Sequence, residues 1–287
     1  MAETRITDEA LVECVPNFSE GRDRGVAGAI ADAIAAAPGA RVLDVTCDSD
    51  HNRSVVTFVA APQAIGEAAL RGAAEAVRLI DLTKQSGVHP RIGAADVVPF
   101  VPVRGVTLAD CAAIAVKTGE EFWNRLRVPV YLYEAAARRV DRLNLEGIRR
   151  GGFEALREQV AERPPDIGEP RLHPTAGASV IGARKFLIAF NINLESADVD
   201  IARQIARKIR TSSGGMPCVK ALGLPLASRG LVQVSMNLVR NVDRGRAISE
   251  SRIVHAGRTL TVVESRVCDD GGRLLCIVTS THVAVAR

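Results

Sequence analysis

The sequence predicts an α/β chain built as an α+β sandwich of two ferredoxin-like units. Three observations carry this. Strand and helix signals follow the order β-α-β-β-α-β through about the first hundred residues. A proline-rich, charged stretch at 161–176 interrupts them, and the rhythm then restarts as β-α-β-β. The 287 residues are 47% hydrophobic but only 3% aromatic, so the core has to come mainly from Ala, Val, Ile and Leu.

Taken in order, 11–15 reads as a short strand and 26–37 as an Ala-rich helix stopped by Pro38-Gly39. Residues 41–46 and 54–60 are β-branched runs around a polar loop at 47–53. Residues 63–80 form a long helix, with Ile65, Ala68, Ala69, Ala73, Ala76, Val77 and Ile80 along one face. The strand at 96–103 carries Pro99 and Pro102, so it should be short, bulged or at an edge. Thr107 and Asp110 make a capping box that opens a helix to about 125, and 128–133 is a further strand. The stretch 161–176 reads as a linker. Beyond it, 185–194, 219–224 and 231–238 are strands, and 198–210 is a helix with Ile201, Ile205 and Ile209 four apart. A second helix and a closing strand should follow. Instead, 259–268 and 273–286 flank Asp269-Asp270-Gly271-Gly272, a hairpin signal.

Composition excludes several functions. The net charge of +4 is spread among acids, without the basic stripe of a nucleic-acid binder. The scarcity of aromatics disfavours a base-stacking platform. None of the six cysteines forms a Cys-x-x-Cys pair, so reduced thiols in a cytoplasmic protein are expected, with no zinc ribbon. The N-terminus lacks the apolar core of a signal peptide, and no run of about 18 apolar residues is present, so no membrane partner is expected.

Polar residues gather beside the strands. His89 sits in Gly87-Val88-His89-Pro90-Arg91-Ile92-Gly93, where Pro90 restricts it to an extended backbone. An imidazole beside Arg91 and Asp96 suits proton transfer near neutral pH, although from composition alone a loop His bonded to backbone is the better reading. His51, between Asp50 and Asn52-Arg53, matches no metal-binding spacing, and a solvated turn or an anion-binding Asn-Arg pair accounts for it. No metal is expected. No Gly-x-Ser-x-Gly elbow supports nucleophilic catalysis.

Seven collinear stretches carry a resemblance: LVECVPNFSEGRD (11–23), DHNRSVVTFV (50–59), HPRIGAADVVPFVPVRGVT (89–107), VPVYLYEAA (128–136), GARKFLIAFNINL (182–194), VKALGL (219–224) and VQVSMNL (232–238). Over about 11–238 the chain resembles the formiminotransferase domain of glutamate formimidoyltransferases. The resemblance implies two α/β subdomains, at 1–178 and 179–245, flanking a folate crevice. It implies transfer of a formimino group from N-formimino-L-glutamate to tetrahydrofolate as co-substrate.

The family's catalytic histidine falls on His89. Its folate-binding segment falls on Gly168, Glu169, Pro170, Arg171, Leu172, His173, Pro174, Thr175, Ala176 and Gly177. Asp44 or Asp96 would orient His89, and Asn17 or Asn52 would bind polar substrate groups. Arg53, Arg91 and Arg184 are candidates for the glutamate carboxylates. An ion pair or helix cap explains each Arg and Asp as well.

Two departures follow. Gln85 stands where the family commonly has a histidine, and an amide hydrogen-bonds but does not shuttle protons. Residues 246–287 resemble the closing hairpin of a hotdog-fold thioesterase, which leaves the second subdomain incomplete. An uncovered sheet would favour a homodimer. A non-catalytic folate-binding module, associating through that hairpin, and a related formyl transfer stand as alternatives.

Overall fold

The computed structural model describes residues 10–87 and 89–238 and, as backbone, the strands at 248–256, 260–268 and 274–283. The chain divides into two compact units, one ending at Val239 and the other beginning at Arg240.

The first unit opens with β1 (Leu11–Cys14), the two-residue β2 (Asn17–Phe18), α1 (Arg24–Ala35), β3 (Arg41–Asp48), β4 (Arg53–Ala60), α2 (Ile65–Leu79) and β5 (Ala95–Arg104). β3 pairs with β4, β4 with β1 and β1 with β5, all antiparallel. This β3-β4-β1-β5 order is the ferredoxin-like arrangement that the β-α-β-β-α-β sequence implies. The helices supply aliphatic residues to the interface: Ala27, Ile30 and Ile34 of α1, and Ala68, Ala69, Ala73 and Ala76 of α2, are all buried. Few as they are, most of the aromatics go inside, with Phe18, Phe58, Phe100, Phe122, Phe153, Tyr131 and Tyr133 buried and Phe186 exposed.

β5 departs from its proline-based expectation. It is ten residues long and central, with β1 on one side and β7 (Ser179–Ala183) on the other. The prolines fall where the ladder is already interrupted. Pro99 lies opposite the break between β1 and β2, and Pro102 meets Val12 beside a register shift. A residue without an N–H is tolerated at such points.

α3 (Leu108–Glu121) and one π-helical turn at Phe122–Leu126 lead to β6 (Val130–Glu134), which pairs in parallel with β7. The capping box of α3 is complete. Thr107 Oγ1 accepts from the Asp110 N–H at 3.1 Å, and the Asp110 carboxylate accepts from the Thr107 N–H at 2.8 Å. Thr107→Ala should lower stability by about 1 kcal/mol, read as a shift in the urea midpoint at unchanged slope.

Two short helices absent from the sequence reading follow, α4 (Leu145–Ile148) and α5 (Gly152–Gln159). The expected linker is stitched to the sheet rather than free. The Val130 N–H donates to the Ile167 carbonyl at 2.9 Å, the Ile167 N–H donates back to the Val130 carbonyl at 3.1 Å, and the Leu132 N–H donates to Asp166 at 2.8 Å. The Leu82 and Ala94 N–H groups donate to the Thr175 and Ala176 carbonyls at 2.8 and 2.9 Å. Its prolines remove donors and restrict φ, which is compatible with order.

A second sheet completes this unit with β8 (Ile188–Leu194), α6 (Val199–Ile209), β9 (Val219–Leu226) and β10 (Leu231–Leu238), in the antiparallel order β8-β10-β9. This repeats β1-β4-β3. Ala202 and Ala206 of α6 pack on Val219, Ala221, Val232, Val234 and Met236. The strand at 179–183, which the sequence reading assigns to the second subdomain, lies in the large sheet.

The second unit is a three-stranded antiparallel sheet, β11 (Ile248–Ala256), β12 (Leu260–Cys268) and β13 (Leu274–Val283), with β12 central. The expected hairpin is its β12–β13 half. Its turn residues, 269–273, lie outside the described residues. The strand β11 is missing from the sequence reading. No helix among the described residues is long and apolar enough to cross a membrane.

Candidate functional site

The topology gathers the polar loops. β4 and β5 both run antiparallel to β1, so both begin at the end of the sheet where the chain leaves β1 and β2. The turn before β4 (49–52), the loop before β5 (80–94) and the segment after β2 (19–23) therefore meet there. Sequence order alone leaves that convergence open.

Side chains knit these loops together. Asn52, at φ +48°, accepts from the Gly21 N–H at 3.1 Å and donates to Gln85 Oε1 and, at 3.0 Å, to the Ser86 carbonyl. Gln85 Nε2 donates to Glu20 at 2.5 Å, and the other oxygen of Glu20 accepts from the Arg22 and Asp23 N–H groups at 2.7 and 2.9 Å. Gln85 is thus the central tie among three loops. An amide suits this position because it donates at one end and accepts at the other.

His89 is held on both sides. Its Nδ1 lies 3.0 Å from the Pro90 carbonyl and its Nε2 lies 3.0 Å from Arg53 Nη1. Guanidinium and carbonyl fix the roles: Nδ1–H donates, and the Nε2 lone pair accepts from Arg53. Burial, then the cations of Arg53 and Arg149, push this imidazole down to about 2, so it is neutral at pH 7. Arg149 Nη1 donates to the Pro90 carbonyl at 3.1 Å and to Asp96 at 2.9 Å. The other Asp96 oxygen accepts from the Ile92 and Gly93 N–H groups at 2.7 and 3.3 Å. Asp96 therefore shapes the His89 loop and anchors Arg149, and His89 itself is oriented by Pro90 and Arg53.

A narrow cavity of about 10 Å³ is lined by Ser19, His51, Asn52, Arg53, His89, Arg91 and Asp96. Five of the residues expected at the site, Asn52, Arg53, His89, Arg91 and Asp96, meet here. Arg91 donates to the Gln85 carbonyl and to Glu154 at 3.2 Å. The others do not join them. Asn17 bonds to the Val15 carbonyl at 3.0 Å, and Asp44 is exposed on β3 beside Thr46. Arg184 donates to the Lys185 carbonyl at 3.1 Å and neighbours Glu13, Tyr133 and Glu134.

None of 168–177 lines the cavity, but Gly177 forms a β-bridge with Gly93, four residues after His89. Within that segment His173 Nδ1 accepts from the Thr175 and Ala176 N–H groups at 3.3 and 3.0 Å. A larger open concavity between α1 and β3 is walled half by Ala and Val and contains no imidazole. No group of three or more His, Cys, Asp or Glu able to hold a metal is found among the described residues.

Sequence reasoning missed two lining or anchoring residues. A solvated turn or an anion-binding Asn-Arg pair is what the sequence suggests at His51, yet the residue is buried; its place beside Asn52-Arg53 is the available signal. Arg149 follows a short helix and carries no local signal at all.

The neutral His89 makes stability depend on pH. Its folded value near 2 lies below the unfolded value of about 6.5, so the unfolded chain binds the extra proton as pH falls through 6.5. Stability should therefore be full above about pH 6.5 and decline below it, by at most about 1.4 kcal/mol per pH unit from this group. Urea midpoints at pH 7 and 5 should differ less in His89→Gln than in the wild type.

The sequence pattern of the formiminotransferase domain, N-terminal subdomain, matches residues 11–184. The chain belongs to the formiminotransferase family. It is 44% identical over 231 residues to a glutamate formimidoyltransferase of Streptococcus pyogenes serotype M1, covering 80% of this chain and 77% of the relative. It is 44% identical over 264 residues to a glutamate formimidoyltransferase of Thermoplasma acidophilum, covering 90% and 87%. A formimidoyltransferase-cyclodeaminase of Sus scrofa is 46% identical over 237 residues, 80% of this chain but 44% of that protein.

The Thermoplasma comparison corrects the reading of the C-terminal part of this formiminotransferase. Residues 1–238 are about 83% of the chain, so a match covering 90% continues past Leu238. The likeness to a hotdog thioesterase is not supported. Alternating apolar strands around a Gly-rich turn are common to many antiparallel sheets, so that pattern carried little specificity.

Proposed function

We propose that this formiminotransferase moves the formimino group of N-formimino-L-glutamate to tetrahydrofolate, releasing 5-formiminotetrahydrofolate and L-glutamate, with His89 as general acid/base. The observation that carries the reading is the meeting of His89, Arg53, Arg91 and Asn52 around one cavity, in a chain 44% identical to two glutamate formimidoyltransferases.

The chemistry fits these groups. N5 of tetrahydrofolate attacks the amidine carbon. One proton leaves the attacking nitrogen, and one reaches the departing glutamate nitrogen. A single imidazole serves both steps. Arg53 occupies the His89 lone pair in this structure. A substrate carboxylate that drew the guanidinium to itself would release that lone pair and neutralise the nearby cation, raising the basicity of His89 as substrate binds. The cleft, about 10 Å³ as it stands, receives the reacting end of a substrate only once the Arg53 guanidinium is drawn aside, and most of a folate lies outside it. The segment 168–177, bridged to Gly93, is the folate-facing edge in this reading. Asn17, Asp44 and Arg184 would contribute only to parts of the substrates beyond the cavity.

The test is direct. The purified protein is mixed with formiminoglutamate and tetrahydrofolate, and 5-formiminotetrahydrofolate is followed by mass spectrometry. Equal rates for wild type and His89→Ala would overturn the assignment of His89.

A further inference from the structure

The buried His51 is used by none of the steps above. It lines the same cavity as His89, and their ring centroids are 5.9 Å apart. It is 7% exposed, and its Nε2 is buried with no hydrogen-bond partner among the described residues. A buried polar nitrogen left unpaired costs free energy unless a ligand completes it.

Its other nitrogen sets which partner it can take. Nδ1 faces Asp48 Oδ2 at 3.6 Å, an electrostatic contact longer than a hydrogen bond. The Oδ1 of the same carboxylate accepts from the His51 backbone N–H at 2.9 Å, which fixes the carboxylate against the ring. A carboxylate facing Nδ1 favours the tautomer with the proton on Nδ1 and leaves Nε2 as a bare acceptor.

We propose that His51 is a specificity-determining residue of the site, whose Nε2 accepts an N–H of the formimino group and so selects an amidine donor over its formyl counterpart. The formimino group offers N–H where the formyl group offers only a carbonyl oxygen. An acceptor lone pair attracts the first and repels the second. A site built to hydrogen-bond one substrate group discriminates strongly against an analogue that lacks it. The inference rests on the transfer reaction proposed above.

The environment of His51 is mixed. The carboxylates of Asp48 and Asp50 favour its charged form, whereas the guanidiniums of Arg53 and Arg229 and burial oppose it. The neighbouring His89 ring adds a further titratable group. Burial dominates and holds the His51 imidazole below its usual range, so Nε2 keeps its lone pair at neutral pH.

Asp48→Asn is the sharper test. It keeps an oxygen for the His51 backbone N–H while placing an amide N–H toward Nδ1. That drives the ring to the Nε2–H tautomer and turns the acceptor into a donor. The experiment measures kcat/KM for formiminoglutamate and for N-formylglutamate, each with tetrahydrofolate, in wild type, Asp48→Asn and His51→Gln. The wild-type preference for formiminoglutamate should fall about tenfold or more in Asp48→Asn, mainly through a faster formyl reaction. The wild-type preference should also shrink as pH falls and His51 gains its proton.

Asp48 is partly exposed, so this variant should fold even where His51→Gln does not. An unchanged ratio in Asp48→Asn overturns the inference while leaving the transfer reaction standing. A wild type active on neither donor overturns both.

Discussion

His89→Asn is expected to lower kcat by about 10²–10⁴, with a much smaller change in KM. Asn retains a donor at the Nδ1 position, so the bond to the Pro90 carbonyl is replaceable, although its amide stops short of Arg53. It has no proton to exchange near neutral pH. The loss therefore isolates proton transfer from positioning, and a kcat-specific effect is its signature. Steady-state rates over a range of both substrates check it. A variant that raises KM and leaves kcat near wild type would show that His89 binds substrate without carrying a proton. Because Arg53 holds the His89 lone pair in this structure, Arg53→Met should raise the His89 pKa toward 6.5. The same variant should weaken glutamate binding. Titration of the His89 ring by NMR separates the two consequences.

Gly177→Ala is the second large effect, acting on stability and rate together. Gly177 has φ +69°, and a Cβ there would stand 2.2 Å from the Ile92 carbonyl oxygen and 2.9 Å from a Leu82 methyl. The left-handed backbone costs a non-glycine residue about 1–2 kcal/mol, and the clash is with backbone, which yields only if the strand moves. A loss of roughly 2–4 kcal/mol is expected, read by denaturant unfolding.

The clash also bears on the site. Gly177 bridges Gly93, and the Ala178 N–H donates to the Ile92 carbonyl at 2.9 Å, so a shift here moves the loop that carries His89. Displacement of a catalytic group by about 1 Å lowers turnover by about 10². Gly168→Ala, at φ +98°, carries a similar backbone strain, but its added methyl would meet the Trp123 ring rather than backbone. The loop carrying His89 should then stay in place, with turnover much closer to wild type.

Period-3.6 and period-2 patterns located most elements because each carries its own apolar face. The helix at 65–79 and the strand at 53–60 follow directly from them. Elements without such a face escaped. β2 is two residues long, and α4 is a single turn held by its neighbours. The stretch 161–176 was misread for a related reason. Its order comes from backbone bonds to Val130, Leu82 and Ala94, partners distant in sequence.

Local sequence alone determined the ferredoxin-like opening, the helix cap at Thr107, and the family to which the chain belongs. Periodicity, caps and collinear motifs are written in neighbouring residues. Tertiary structure decided which polar residues share a cavity, because that depends on strand direction. β4 and β5 start at one end of the sheet and bring Arg53 to His89, 36 residues away. The same geometry left Asp44 on an exposed strand and Arg184 among other partners. It also turned His51 from a surface turn into a buried imidazole with an unpaired nitrogen, since burial is set by what folds over a residue.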